Sequence, residues 1–334
     1  MLRAVGSQGS TAVAGVDVGG TKIAVAVLVG AALGRPRTHR TDTSGPEALV
    51  DQLVEVIGEA GEVSAIGVAV PSVVDFATGR VRSSVNIPLA DIPLREVLRE
   101  RLGIPVYVDN DATCAALAEA YDNEGGLVAR HLVMLTVGTG VGGGIIVDGH
   151  VYRGATGAAG ELGHTIIGAD LRHAPFAHRD QFPQPGSLEA LASGRTLTAL
   201  AREHGIPDGQ TTRMALDGDA AACAAIELIG RRLGIGIANA INTFDPDLVV
   251  IGGGISAAGD LLLAPAREEA ARFTLTGVGT TTRICAARSG PEAGVRGAAL
   301  LASHELAYEL VTSSAEIVVS ASGRRERRPS DDVT

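Results

Sequence analysis

Val13-Ala14-Gly15-Val16-Asp17-Val18-Gly19-Gly20-Thr21-Lys22-Ile23-Ala24-Val25-Ala26-Val27-Leu28 is the stretch on which the fold turns. Its two apolar runs, residues 13–18 and 23–28, have strand length, and Gly19-Gly20-Thr21-Lys22 between them makes a glycine-tipped hairpin. The device recurs further on, as a strand at 131–137, a glycine turn at 138–144 and a strand at 145–147. One supersecondary unit repeated at domain scale predicts two α/β domains of related topology. Around these units the spacing of apolar residues predicts helices at 49–57, 94–102, 112–121, 220–241 and 294–310, and strands at 65–70, 106–108 and 248–251. Residues 71–88 read as turn-rich and 153–194 as loop-rich, and the polar stretch from 313 to 334 reads as a disordered tail.

Composition narrows the functional classes. A chain of 334 residues has room for two cores. Hydrophobic residues make up 46% of it, yet no run approaches the roughly 18 apolar residues of a membrane span. A formal charge of -10 and an aromatic content of 3% argue against nucleic acid as a partner. Cys114, Cys223 and Cys285 are isolated among apolar neighbours, which suits buried free thiols. The amino-terminal stretch does not resemble a cleaved signal peptide, so a cytoplasmic location is expected. Lys22 is the sole lysine. Its place inside a glycine turn reads either as a compact cation put to use or as chance.

Three glycine-rich turns follow apolar strands: Asp17 to Lys22, Gly138-Thr139-Gly140-Val141-Gly142-Gly143-Gly144, and Gly252-Gly253-Gly254. Glycine lets backbone N–H groups close around a phosphate. One such turn is usually only a turn, whereas three, one of them carrying an acid and a lysine, favour an anion cradle. Gly138, Gly140 and Gly143 match the dinucleotide fingerprint in spacing, but a strand follows where that motif requires a helix. P-loop spacing is absent as well.

Asn110-Asp111 stands between a strand and a helix. Asp111 reads as a helix cap or as a general base kept ionised by the helix amino end, and the two readings are compatible. Glu161 and His164, among glycines, read equally as part of a polar cavity or of a solvated loop. Together with Asn86, Asn110, Asp111 and Glu189 they offer the mix of donors and acceptors that sugar hydroxyls need.

In order and spacing these motifs resemble the ROK family, the group of repressors, open reading frames and bacterial sugar kinases, from about Val13 to Leu301. The resemblance implies two actin-like, ribonuclease H-like domains with an active-site cleft between them. The smaller would span 12–121, completed by the helix 294–310, and the larger 122–293. It implies an ATP- and Mg²⁺-dependent hexose kinase, glucose being the first choice of sugar, with Asp111 as general base toward the 6-hydroxyl. Asp17, Gly19, Gly20, Thr21, Lys22, Gly138, Thr139 and Gly140 would face the nucleotide phosphates, Asp17 also the magnesium, and Gly252, Gly253 and Gly254 the adenosine. Asn86, Asn110, Asp111, Glu161, His164 and Glu189 would hold the sugar. Homodimers or homotetramers are usual in the family. Its zinc site is expected to be missing, because Asp180, Phe182 and Ser187 occupy the cysteine positions, and His173 and His178 read as loop histidines. Thr113 and Ser72 replace the usual Asn and Gly of two motifs. Family members that are transcription regulators carry a winged-helix module before the first hairpin. Only twelve residues precede Val13 here, so a kinase is expected rather than a regulator.

Overall fold

The computed structural model describes residues 11–84, 86–168 and 182–322, with side chains as far as residue 312. In chain order the elements are β1 (Ala12–Val18), β2 (Lys22–Val29), β3 (Ala32–Leu33), β4 (Arg37–Arg40), α1 (Pro46–Gly58), β5 (Ile66–Val70), β6 (Ser72–Asp75), β7 (Arg80–Ser84), α2 (Leu94–Leu102), β8 (Val106–Asn110), α3 (Asp111–Ala120), β9 (Leu132–Val137), β10 (Val141–Val147), β11 (His150–Val151), α4 (Leu188–Ala192), α5 (Gly194–Glu203), α6 (Thr211–Leu216), α7 (Ala220–Phe244), β12 (Leu248–Gly252), α8 (Asp260–Phe273), β13 (Arg283–Ala286) and α9 (Ala293–Ser322).

Two sheets share one plan. The first runs β3-β2-β1-β5-β8 and the second β11-β10-β9-β12-β13. In each, the opening hairpin is antiparallel and the next two strands join parallel to its first strand. Because β1, β5, β9 and β12 are covered on both faces, their sequences are nearly continuous apolar runs rather than alternating ones. α1 and α2 pack with one face of the first sheet, and α7 with α8 builds the core beneath the second.

Between the two sheets lie α3 and α9. Every residue of α3 from Ala112 to Ala120 is buried, which is why its sequence is alanine-rich and, but for Thr113 and Glu119, apolar all round. Glycines let the layers meet backbone to backbone. A Cβ on Gly297 of α9 would stand 1.8 Å from the Cys114 carbonyl oxygen of α3, and one on Gly67 of β5 would stand 1.8 Å from that of Ala298. The buried Arg296 ties α9 to both neighbours by donating to the Ala31 and Asp122 carbonyls. Glu119, fully buried on α3, accepts the N–H groups of Arg288 and Ser289, which lead into α9.

Several local readings are corrected. The second glycine turn is shorter than 138–144, since β10 begins at Val141 and Gly142 to Gly144 lie in the strand. The turn-rich stretch 71–88 contains the β6–β7 hairpin, and the loop-rich middle contains α4. The last helix runs to Ser322, into the stretch read as a tail. Residues 323–334 lie outside the described residues.

Candidate functional site

The two hairpin tips and the amino end of α3 gather at the same end of the sheets. At the first tip, Gly19 N–H donates to the Lys22 carbonyl at 2.9 Å and the Thr41 hydroxyl donates to the Gly19 carbonyl at 2.6 Å. Thr41, buried and set in the chain after β4, fixes a turn that sequence reasoning left unsupported. A Cβ on Gly20 would meet the Asn86 carbonyl oxygen at 3.1 Å, so Asn86 sits beside this turn. Thr21 and Lys22 are exposed.

At the second tip, Gly138 N–H donates to the Gly140 carbonyl, and Gly194 at the start of α5 donates to the Gly138 carbonyl at 2.7 Å. A Cβ on Gly138 would meet nothing within 4 Å, and Thr139 is exposed. Gly142, Gly143 and Gly144 serve packing instead. Side chains there would strike Thr136, the Gly160 backbone and α3 respectively. In the third turn Gly252 is buried against Met134, whereas Gly253, at φ 84°, and Gly254 are exposed.

Asn110, and not Asp111, caps α3. Its side-chain oxygen accepts from the N–H groups of Ala112 and Thr113 at 2.9 and 3.1 Å, and its amide donates to the Ser72 carbonyl at 3.3 Å. Asp111 is the first residue of the helix proper, with Oδ1 accepting from Ala112 N–H at 2.8 Å. Burial, then the neighbouring Asp17 carboxylate, raise its pKa to about 6; backbone N–H donors oppose them, and Glu161 adds to the rise. The helix amino end therefore does not prevail, although the group stays ionised at neutral pH. Asp17, at the end of β1, is also raised by burial, with Lys22 pulling the other way. Its carboxylate lies against Gly294 in the first turn of α9, where a Cβ would come within 2.5 Å.

Glu161 and His164 are exposed neighbours on the segment leading into and through a short 3₁₀ turn, with His164 Nε2 3.7 Å from Glu161 Oε2. Gly163 and Gly160 press this segment onto β10. Glu189, on α4, binds the second tip: its Oε2 accepts from Val141 N–H at 2.9 Å. Ser187, at one of the family's cysteine positions, is the buried amino cap of α4. Asp180, His173 and His178 lie outside the described residues. Among the described residues the three cysteines are free, on α3, α7 and β13.

The arrangement sets Asp111 near enough to the carboxylates of Asp17 and Glu161 to be repelled by both, with Lys22 beside Asp17. Among the described residues no three ligating side chains stand close enough together to hold a metal ion by themselves, so what the set itself suits is a proton-accepting step at Asp111. The tip glycines are partly exposed, and the space beside Gly138 is open, while Gly20 and Gly140 have little room for a side chain, which suits backbone N–H groups set close around a polyphosphate.

Residues 13–305 match the model of the ROK family. The chain is 33% identical over 319 residues to a glucokinase of Halalkalibacterium halodurans, covering 87% of this chain and 94% of that one. It is 35% identical over 304 residues to an N-acetyl-D-glucosamine kinase of Photobacterium profundum, covering 86% and 98%. Among solved structures, a ROK family glucokinase from Streptomyces griseus in complex with glucose and AMPPNP superposes with a TM-score of 0.73 at 30% identity, covering 88% of this chain and 99% of that one.

Proposed function

The chain belongs to the ROK family and is a sugar kinase, and from that premise we propose that it transfers the terminal phosphoryl group of ATP to the 6-hydroxyl of glucose. The observation that carries the reading is the position of Asp111. It is a carboxylate freed from capping duty, ionised at pH 7, with a pKa of about 6 that suits a base taking a hydroxyl proton.

Bound MgATP supplies the phosphoryl group and the cation that neutralises its charge. The tips at Gly19, Gly20, Thr21 and Lys22 and at Gly138, Thr139 and Gly140 would direct N–H groups at the phosphates, and Asp17 would hold the magnesium. Gly253 and Gly254 would border the adenosine; Gly252 supports them from the core. Asn110, Glu161 and His164 would hold the sugar, with Asn86 beside the first tip. Glu189, engaged by Val141 N–H, would reach the sugar from the second tip. Alignment of the hydroxyl against Asp111 and exclusion of water would then contribute most of the rate.

The reading extends to a smaller domain at 12–121 with 294–310, a larger one at 122–293, a cytoplasmic homodimer or homotetramer, and neither nucleic acid nor membrane as partner. Among the described residues no helix is long and apolar enough to cross a membrane. A coupled assay over glucose, mannose, fructose and N-acetylglucosamine, each with ATP and with polyphosphate, tests it. Glucose with ATP should give the highest kcat/KM. Turnover on none of these pairs would overturn the kinase assignment, and a preference for N-acetylglucosamine would move the acceptor.

A further inference from the structure

Directly behind Asp111 runs an ionic chain that starts at a buried carboxylate and leads to partly exposed partners. Asp109, on β8, has a side chain that is 2% exposed. Its Oδ1 accepts the Asn110 N–H at 2.9 Å, and its Oδ2 accepts Nε–H of Arg153 at 2.8 Å. Nη2 of Arg153 donates onward to Glu305 Oε1 on α9 at 3.0 Å, while the guanidinium stacks 3.4 Å above the Phe76 ring. Burial pushes the Asp109 carboxyl up, and Arg153 foremost, then the Asn110 N–H and Arg95, pull it back.

The partners belong to different parts of the molecule. Asp109 ends a strand of the first sheet and is followed at once by the cap Asn110 and by Asp111. Arg153 follows β11 of the second sheet and opens the segment that reaches Glu161 and His164, to which it is tied by Ala159 N–H on its carbonyl at 3.1 Å. Arg95 and Glu309 are the other charged groups at the cluster. Only a planar guanidinium offers two fixed donors to two carboxylates while lying flat on a ring.

We propose that Arg153 is a positioning residue: it locks the base-bearing end of β8 and the Glu161 segment in one register, so that base and sugar are presented to each other correctly. The inference rests on the kinase reading. It acts through Asp109 and Asn110, without contact to the reacting atoms.

Arg153→Lys keeps the counter-charge for Asp109 and loses the fork. The expected result is a folded protein with kcat lowered about 10- to 100-fold, hexose Kd raised about tenfold and nucleotide Kd changed less than about twofold. The double variant Asp109→Asn/Arg153→Met, which removes the buried carboxylate together with its cation and leaves the partly exposed Glu305 near Arg95, guards against a variant that merely fails to fold. It should recover the thermal midpoint and not the turnover. Wild-type turnover and hexose affinity in Arg153→Lys, or recovery of turnover together with stability in the double variant, would overturn the proposal. The wild-type control separates the two claims. A wild type that binds hexose without phosphorylating it removes the kinase reading, and the register lock is then judged on hexose Kd alone, where unchanged affinity in Arg153→Lys sinks it.

Discussion

Asp111→Asn separates chemistry from architecture, because the cap it might have disturbed is made by Asn110. Turnover should fall about two to four orders of magnitude with sugar and ATP binding retained. Near-normal turnover would remove the base. Stability should move the opposite way. The folded protein holds this carboxyl at about 6 against an ordinary 3.8, so ionising it costs stability, increasingly from about pH 4 to 6 and fully above. The Asn variant is thus expected to be more stable than wild type at pH 7, by at most about 3 kcal/mol, and no more stable below pH 4. Urea unfolding at both pH values measures it. For wild type, kcat/KM for hexose should drop tenfold per pH unit below about 6; a limb near 4 would mean that another group is the base. The residue pair was legible as Asn-Asp between a strand and a helix. Which of the two capped the helix was not, since both are good caps and only the backbone placement decides. Arg153 and Thr41 gave no signal at all, because their partners Asp109 and Gly19 are remote in sequence.

At the scale of elements, the first hairpin was readable from composition alone: apolar strands, a glycine tip, and a matching unit later in the chain. Its second copy was read too long. Gly142 to Gly144 look like a turn, yet they are small because α3 and the segment after β11 press upon β10 there. Glycine demanded by crowding and glycine demanded by a turn look alike in a string of letters. Gly20→Val should raise the nucleotide KM by far more than Lys22→Arg, since any side chain at Gly20 already meets the Asn86 carbonyl at 3.1 Å. Equal tolerance would make that tip a turn and nothing else. In α4, Ser187→Ala should cost about 1 kcal/mol through the lost cap, read by thermal unfolding. Purified protein is also expected to hold no stoichiometric zinc, because Ser187 serves as a cap and Phe182 offers no ligand. Elemental analysis finding one tightly held zinc per chain would contradict this.

For the molecule as a whole, the repeat was enough to infer two related α/β units, and the two sheets do share one strand order. What joins them could not be inferred, because α3 and α9 are alanine-rich helices that carry no mark of being neighbours until Gly297 meets Cys114. That contact has a use at the bench. The Cys114 thiol is fully buried in the core that the two helices share with the sheets, with burial pushing its pKa well up, while Cys223 and Cys285 are partly exposed, burial raising Cys285 as well. A thiol reagent should modify the latter two in the folded protein and reach Cys114 only when the core around α3 and α9 opens. The rate of that slow third modification, followed by intact-mass spectrometry, is then a clock for the rarest breathing motion of the joint. Saturating sugar with a non-hydrolysable nucleotide should slow it.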